Sequence, residues 1–143
     1  MTDSPQSEAQ PSSAGRPLVL VVDDFDDNRL LYVSTIAEAG YAVDEASNGQ
    51  EALDKIGAQR PAVIIMDLSM PVVDGWEATR RIKSDPRTAD IIIIAVTGHA
   101  TNYGLDRARQ AGAEAVLTKP CLPEDLLRTI SALVANPPSG NAR

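Results

Sequence analysis

The run Ala62-Val63-Ile64-Ile65-Met66-Asp67-Leu68-Ser69-Met70-Pro71 decides the fold of this 143-residue chain. Its first five residues are apolar without alternation, which predicts a strand buried on both faces and therefore a parallel sheet. The run then delivers a carboxylate, Asp67, to the mouth of the core. A buried carboxylate is costly unless it is paired, hydrogen-bonded or bound to a cation, so its neighbours must supply compensation. Three other apolar runs end in suitable groups: Leu18 to Val22 in Asp23-Asp24, Ile91 to Val96 in Thr97, and Ala115 to Leu117 in Thr118-Lys119-Pro120. The four ends are expected to form one site.

Outward from that run, strands and helices alternate. Residues 1–16 are rich in Pro and Ser and nearly devoid of apolar side chains, so they are expected to form a disordered tail. After the Leu18–Val22 strand, Asp26 or Asp27 is expected to cap a helix that buries Leu30, Leu31, Ile36 and Ala37 and stops at Gly40. Tyr41 to Ala46 carries Asp44 and Glu45 and suits a sheet edge. Asn48 with Glu51 resembles a capping box, opening a short helix with Ala52, Leu53 and Ile56. Beyond Asp67, Met70 to Gly75 is expected to be a loop. Trp76, Thr79 and Ile82 then mark a helix, Asn102 to Ala111 marks another, and Leu126, Leu127, Ile130, Leu133 and Val134 stripe a last one. Five strands alternating with five helices predict an α/β domain, a doubly wound five-stranded parallel sheet in the flavodoxin-like order 2-1-3-4-5. The domain is expected over residues 17–135, with 136–143 as a C-terminal tail.

Composition narrows the function. A net charge of −7 and a pI near 4.6 disfavour nucleic acid and anionic membrane as partners. The apolar runs are too short to span a bilayer, and the N-terminus lacks a signal segment, so a cytoplasmic location is expected. The single cysteine, Cys121, offers neither an internal disulfide nor metal-ligand spacing.

The strand ends carry chemistry. Asp23, Asp24 and Asp67 offer only oxygen ligands, which selects a hard cation such as Mg²⁺. Lys119 offers a point charge for an anion and Thr97 a hydroxyl donor. Together they equip a site for a phosphoryl group, with Asp67 as the nucleophile that becomes an aspartyl phosphate. No histidine–carboxylate pair is evident to drive fast hydrolysis, so the group is expected to persist long enough to signal.

The motifs Val21-Val22-Asp23-Asp24, Ile65-Met66-Asp67 with Met70-Pro71 and Asp74-Gly75, Ala95-Val96-Thr97-Gly98, and Thr118-Lys119-Pro120 closely resemble the receiver domain of bacterial two-component response regulators, CheY-like and of the single-domain type. The resemblance covers about residues 17 to 135. It implies that Asp67 is the phosphoacceptor, Asp24 a direct Mg²⁺ ligand, Asp23 a ligand through water and the Ser69 carbonyl the third protein ligand. It also implies that Thr97 and Lys119 contact the phosphoryl group, and that the donor is a histidine kinase or histidine phosphotransfer protein. The fourth helix, fifth strand and fifth helix would form the output face toward a protein target. Two departures stand out. Val116 occupies the position usually held by a switching Tyr or Phe, and Gly98-His99 replaces the commoner Ala-x. Ser69 and His99 fall at the two positions that tune dephosphorylation in the family.

Rival functions fit less well. A flavodoxin-type electron carrier needs a Ser/Thr/Gly-rich phosphate loop where this chain has Asp23 to Asp27. An aspartyl phosphatase wants a second acid at position 69, which is Ser69. A phosphorylation-independent receiver-like binding module, or a fragment of a hybrid kinase, stands as the alternative. The expectation is a stand-alone receiver rather than an enzyme, one that assists its own phosphoryl transfer and hydrolysis and signals through protein contacts or a phosphorelay.

Overall fold

Branched aliphatic runs with no polar alternation satisfy both faces of a strand only inside a parallel sheet covered by helices. The computed structural model, which describes residues 16–68, 75–98, 102–119 and 121–135, has that form. Its strands are Leu18–Val22 (β1), Ala42–Ala46 (β2), Val63–Asp67 (β3), Ile92–Thr97 (β4) and Ala115–Thr118 (β5). They alternate with helices Asp26–Glu38 (α1), Gly49–Ala58 (α2), Gly75–Ser84 (α3), Asn102–Ala111 (α4) and Pro123–Ala135 (α5). All ladders are parallel, in the order β2-β1-β3-β4-β5, the predicted flavodoxin-like order. The β3 and β4 strands are buried along their whole length, whereas β2, acidic at Asp44 and Glu45, takes the edge.

Successive side chains of a strand point to opposite faces, so one sheet supplies two cores. Ile64, Met66 and Ile93 pack with Ala52 and Ile56 of α2 and Ala78 and Ile82 of α3. Val21, Ile65 and Ile94 pack with Tyr32 and Ile36 of α1 and Leu126 and Ile130 of α5. The predicted α5 stripe holds in full, since Leu127, Leu133 and Val134 lean against the same core.

Two expectations for α1 need correction. Its buried residues are Tyr32 and Ile36, while Leu30 and Leu31 are 54% and 50% exposed and Ala37 is exposed too. Its N-cap is Phe25, with no side-chain cap bond; Asp26 and Asp27 sit inside the first turn, where acids suit the positive end of the helix. The Phe25 N–H is instead taken by the Asp23 carboxylate at 2.9 Å. At α2 the cap forms as expected, Asn48 accepting the Glu51 N–H at 2.8 Å. Glu51 reaches back one residue further than a capping box requires, to the Ser47 N–H and hydroxyl. Those bonds hold the Glu51 carboxyl below its ordinary pKa.

A staple at the amino end of the sheet joins α3 to β4 and β5. The Lys83 ammonium donates to the Ala89 and Ile91 carbonyls and to Glu114 Oε2 at 2.9, 2.7 and 2.5 Å, which uses all three of its protons. Glu114 Oε1 accepts the Ile93 N–H at 2.7 Å. Gly112, at φ +112°, lies over the lysine stem, where a Cβ would come within 2.6 Å of Lys83 Cγ. Because both side chains are largely buried, Glu114→Ala strands an ammonium and an amide together. It is expected to cost about 2–4 kcal/mol in urea unfolding, and Glu114→Gln, which keeps an acceptor for Ile93, about half of that.

Candidate functional site

The β1 and β3 strands are neighbours whose connections leave in opposite directions, so a crevice opens beyond their carboxyl ends. Asp23 and Asp67 enter it at 2% and 3% exposure, with Asp24 exposed at its rim. One carboxylate oxygen from each of these three residues lies within 4.8 Å of the other two. Like charges that close repel by about 4 kcal/mol per pair at 4 Å and an effective dielectric near 20. Lys119 offsets part of this, its Nζ standing 3.4 Å from Asp67 Oδ2 and 3.8 Å from Asp23 Oδ2.

The backbone places that lysine. Thr97 and Thr118 are in register at the ends of β4 and β5, and the Lys119 N–H donates to the Thr97 carbonyl at 2.8 Å. Thr97 is buried beside the crevice. Burial pushes the Asp23 carboxyl up from 3.8 to about 6. The Phe25 N–H opposes the rise, Asp67 and Asp24 add to it, and Lys119 counters them.

The structure therefore brings together the side chains of Asp23, Asp24, Asp67 and Lys119, and sets Thr97 next to them at the end of β4, where its carbonyl holds the Lys119 N–H. Val116 pairs in register with Ala95 and packs, partly buried, on the α2–α3 side of the sheet. Ser69 and His99 lie outside the described residues, as do residues 1–15 and 136–143.

Sequence reading missed three supports. Arg29 donates to the Asp23 carbonyl at 2.9 Å while pairing with Glu45 and Asp26, which ties the acidic loop to α1 and β2. The Asp26/Arg29 spacing of three was the available signal. Tyr32 is buried beneath the site, and burial, followed by Cys121, Asp23 and Asp67, pushes its hydroxyl up to about 12. Burial also pushes the Cys121 thiol up.

Gly75 is the third. A Cβ there would collide with the Asp67 carbonyl oxygen and lie 2.6 Å from Leu68 Cα, so the first turn of α3 rests directly on the backbone that carries Asp67. Gly75→Ala must push the two apart. The expected loss is about 1–3 kcal/mol in denaturant unfolding, with weaker divalent-cation binding as Asp67 is displaced, measured by calorimetry.

Chemically, clustered oxygen donors suit a hard divalent cation, and the adjoining ammonium suits an anion. The sequence model of the family described as "Response regulator receiver domain" matches residues 19–131. The chain belongs to this family. The polar-differentiation response regulator DivK of Brucella anthropi is 36% identical over 118 residues, covering 82% of this chain and 96% of that protein. The chemotaxis response regulator CheY4 of Vibrio cholerae superposes with a TM-score of 0.78 at 33% identity, covering 82% of this chain and 98% of that one. A response regulator structure from Chloroflexus aurantiacus gives a TM-score of 0.80 at 29% identity, covering 85% and 99%. This receiver is thus a two-component signalling domain with the CheY-like fold. No helix among its described residues is long and apolar enough to cross a membrane.

Proposed function

We propose that this receiver takes a phosphoryl group onto Asp67 and signals by the change that follows. The observation carrying this reading is the meeting of Asp23, Asp24 and Asp67 within 4.8 Å, with Lys119 3.4 Å from Asp67. An Asp67 oxygen forms the new P–O bond as the bond from phosphorus to the donor breaks, and the leaving group departs with that electron pair. Lys119 and the Thr97 hydroxyl hold phosphoryl oxygens and fix the line of attack. Asp24 directly, Asp23 through water, Asp67 and the Ser69 carbonyl would hold Mg²⁺, the hard cation their oxygens fit. Its charge, when bound, offsets that of the carboxylates and phosphoryl oxygens.

The donor is a histidine kinase or histidine phosphotransfer protein. Apolar side chains flank the acidic crevice in sequence, Phe25 beside Asp24 and Leu122 after Lys119, and at 57% and 56% exposure they suit burial against such a protein. The target meets the face formed by α4, β5 and α5, with Val116 in place of a switching ring, and Ser69 and His99 set the decay rate. We place the protein in the cytoplasm, with the domain at 17–135 and tails at 1–16 and 136–143. Nucleic acid and membrane are not its partners, and it acts as a signalling domain rather than as an enzyme on an external substrate.

The test is intact mass after incubation with acetyl phosphate. The expected result is one added phosphoryl group that requires Mg²⁺, is blocked by EDTA and is released by hydroxylamine, as acyl phosphates are. If the folded protein gains no mass from acetyl phosphate or from phosphohistidine donors, the reading gives way to a phosphorylation-independent binding module.

A further inference from the structure

A groove of about 250 Å³ lies between α3 and α4, lined by Trp76, Glu77, Arg80, Arg107, Gln110 and Ala111. Its charge runs against that of the chain. The net charge is −7, yet α3 and α4 carry Arg80, Arg81, Arg107 and Arg109 against only Glu77 and Asp106. The remaining base of α3, Lys83, is spent on Glu114. Arg80 and Arg81 share the single Glu77 carboxylate.

Arg107 has no carboxylate partner among the described residues, and its guanidinium sits 4.6 Å from the centroid of the Trp76 ring. A stacked guanidinium satisfies its flat face and keeps its in-plane N–H donors for an incoming carboxylate. Tryptophan and arginine are also the side chains that most often anchor protein interfaces. The volume falls below the 300–1,000 Å³ typical of small-molecule sites but accommodates one or two side chains. These features select an acidic peptide segment rather than a nucleotide or another cofactor.

The groove also has a mechanical connection to the crevice. Gly75 rests on the Asp67 and Leu68 backbone, and Trp76 is the next residue of the same helical turn. A shift of the Asp67 backbone therefore moves the ring on which Arg107 is stacked. We propose that the α3–α4 groove is a docking site for an acidic segment of a partner protein, held by Trp76, Arg80 and Arg107 and coupled to Asp67 through Gly75. The coupling, though not the docking, rests on Asp67 being the phosphoacceptor.

Trp76 is the only tryptophan, so its emission reports the groove directly. The probe is a helical peptide of glutamates with leucines at positions i, i+3 and i+4, compared with the same peptide carrying glutamine for glutamate. Expected is a saturable change in Trp76 emission with the glutamate peptide alone, weakened at least tenfold in Arg107→Gln and Arg80→Gln proteins whose circular dichroism is unchanged. Phosphorylation, verified by intact mass, is expected to change the affinity by about fivefold or more. Absence of saturable binding, or equal binding by the arginine variants, overturns the docking site. Equal affinity in the mass-verified phosphorylated and free proteins overturns the coupling. Failure to gain phosphoryl mass counts against the phosphoacceptor reading, and the titration of the free protein still decides the docking site.

Discussion

Asp67→Asn is expected to lower phosphoryl uptake from acetyl phosphate by a factor on the order of 10³–10⁶, to the limit of detection by intact mass. The amide that replaces the carboxylate has no anionic oxygen to attack phosphorus, and it keeps the size of the side chain, so the fold has no reason to change. The neighbouring groups make poor substitutes. Asp23 is buried with one oxygen engaged by the Phe25 N–H, and its pKa of about 6 marks it as disfavoured in its charged form. Asp24 is exposed, where water competes for its oxygens. Cys121 is held toward its thiol form by burial. The same substitution removes one of the charges that meet within 4.8 Å, so divalent-cation affinity should fall by tenfold or more in calorimetry, while thermal stability in chelator holds or rises. If the asparagine variant still gains a hydroxylamine-labile phosphoryl group, the nucleophile is Asp23 or Asp24 and the assignment of Asp67 is wrong.

Sequence made the sheet legible because burial on both faces removes any need for polar residues. The β3 and β4 runs therefore stand out as unbroken apolar stretches, and the polar groups after them mark the crevice. The same logic fails at α1. Apolar side chains there occur on more than one face, and periodicity favoured Leu30 and Leu31 over Tyr32, whose hydroxyl disguises a ring that fills the core. The Phe25 cap was hidden for a different reason. Asp23 commits its carboxylate to the Phe25 N–H, so the loop closes on a residue of the site instead of on a helix-first acid. Glu114 left no signal, and Gly75 was legible only as part of a motif and a turn, because their packing roles depend on residues far along the chain or on the close approach of two backbones, neither of which leaves a periodic trace. The carboxylates, Thr97 and Lys119 were legible as positions since each ends a strand or follows one within two residues, and the parallel topology brings those ends to one edge of the sheet.

The Asp23 carboxyl provides the sharpest test of how the crevice is balanced. With a native pKa of about 6 against an ordinary 3.8, the folded state holds this proton more tightly than the unfolded chain does. Near neutral pH the charged, buried carboxylate therefore works against folding, on the order of 1–3 kcal/mol. In chelator at pH 7, Asp23→Asn should raise the unfolding midpoint by several degrees, since its amide oxygen can still accept the Phe25 N–H at the 2.9 Å contact. The sign fixes the pH dependence. As pH falls through 6 toward 3.8, the natural protein recovers this stability by protonating Asp23, so the advantage of the variant shrinks and is gone below about pH 4. Millimolar Mg²⁺ should reverse the pattern at pH 7. Binding to the folded state adds stability in proportion to the logarithm of ligand over dissociation constant, and the natural protein, keeping its full set of carboxylates, gains more than the variant. A variant less stable than the natural protein in chelator at pH 7 would mean that the attraction of Lys119, 3.8 Å away, outweighs the burial of the charge. The crevice would then be a balanced ion cluster. The opposite outcome makes it a set of carboxylates held apart from water at a loss, and that loss is what a bound cation would relieve.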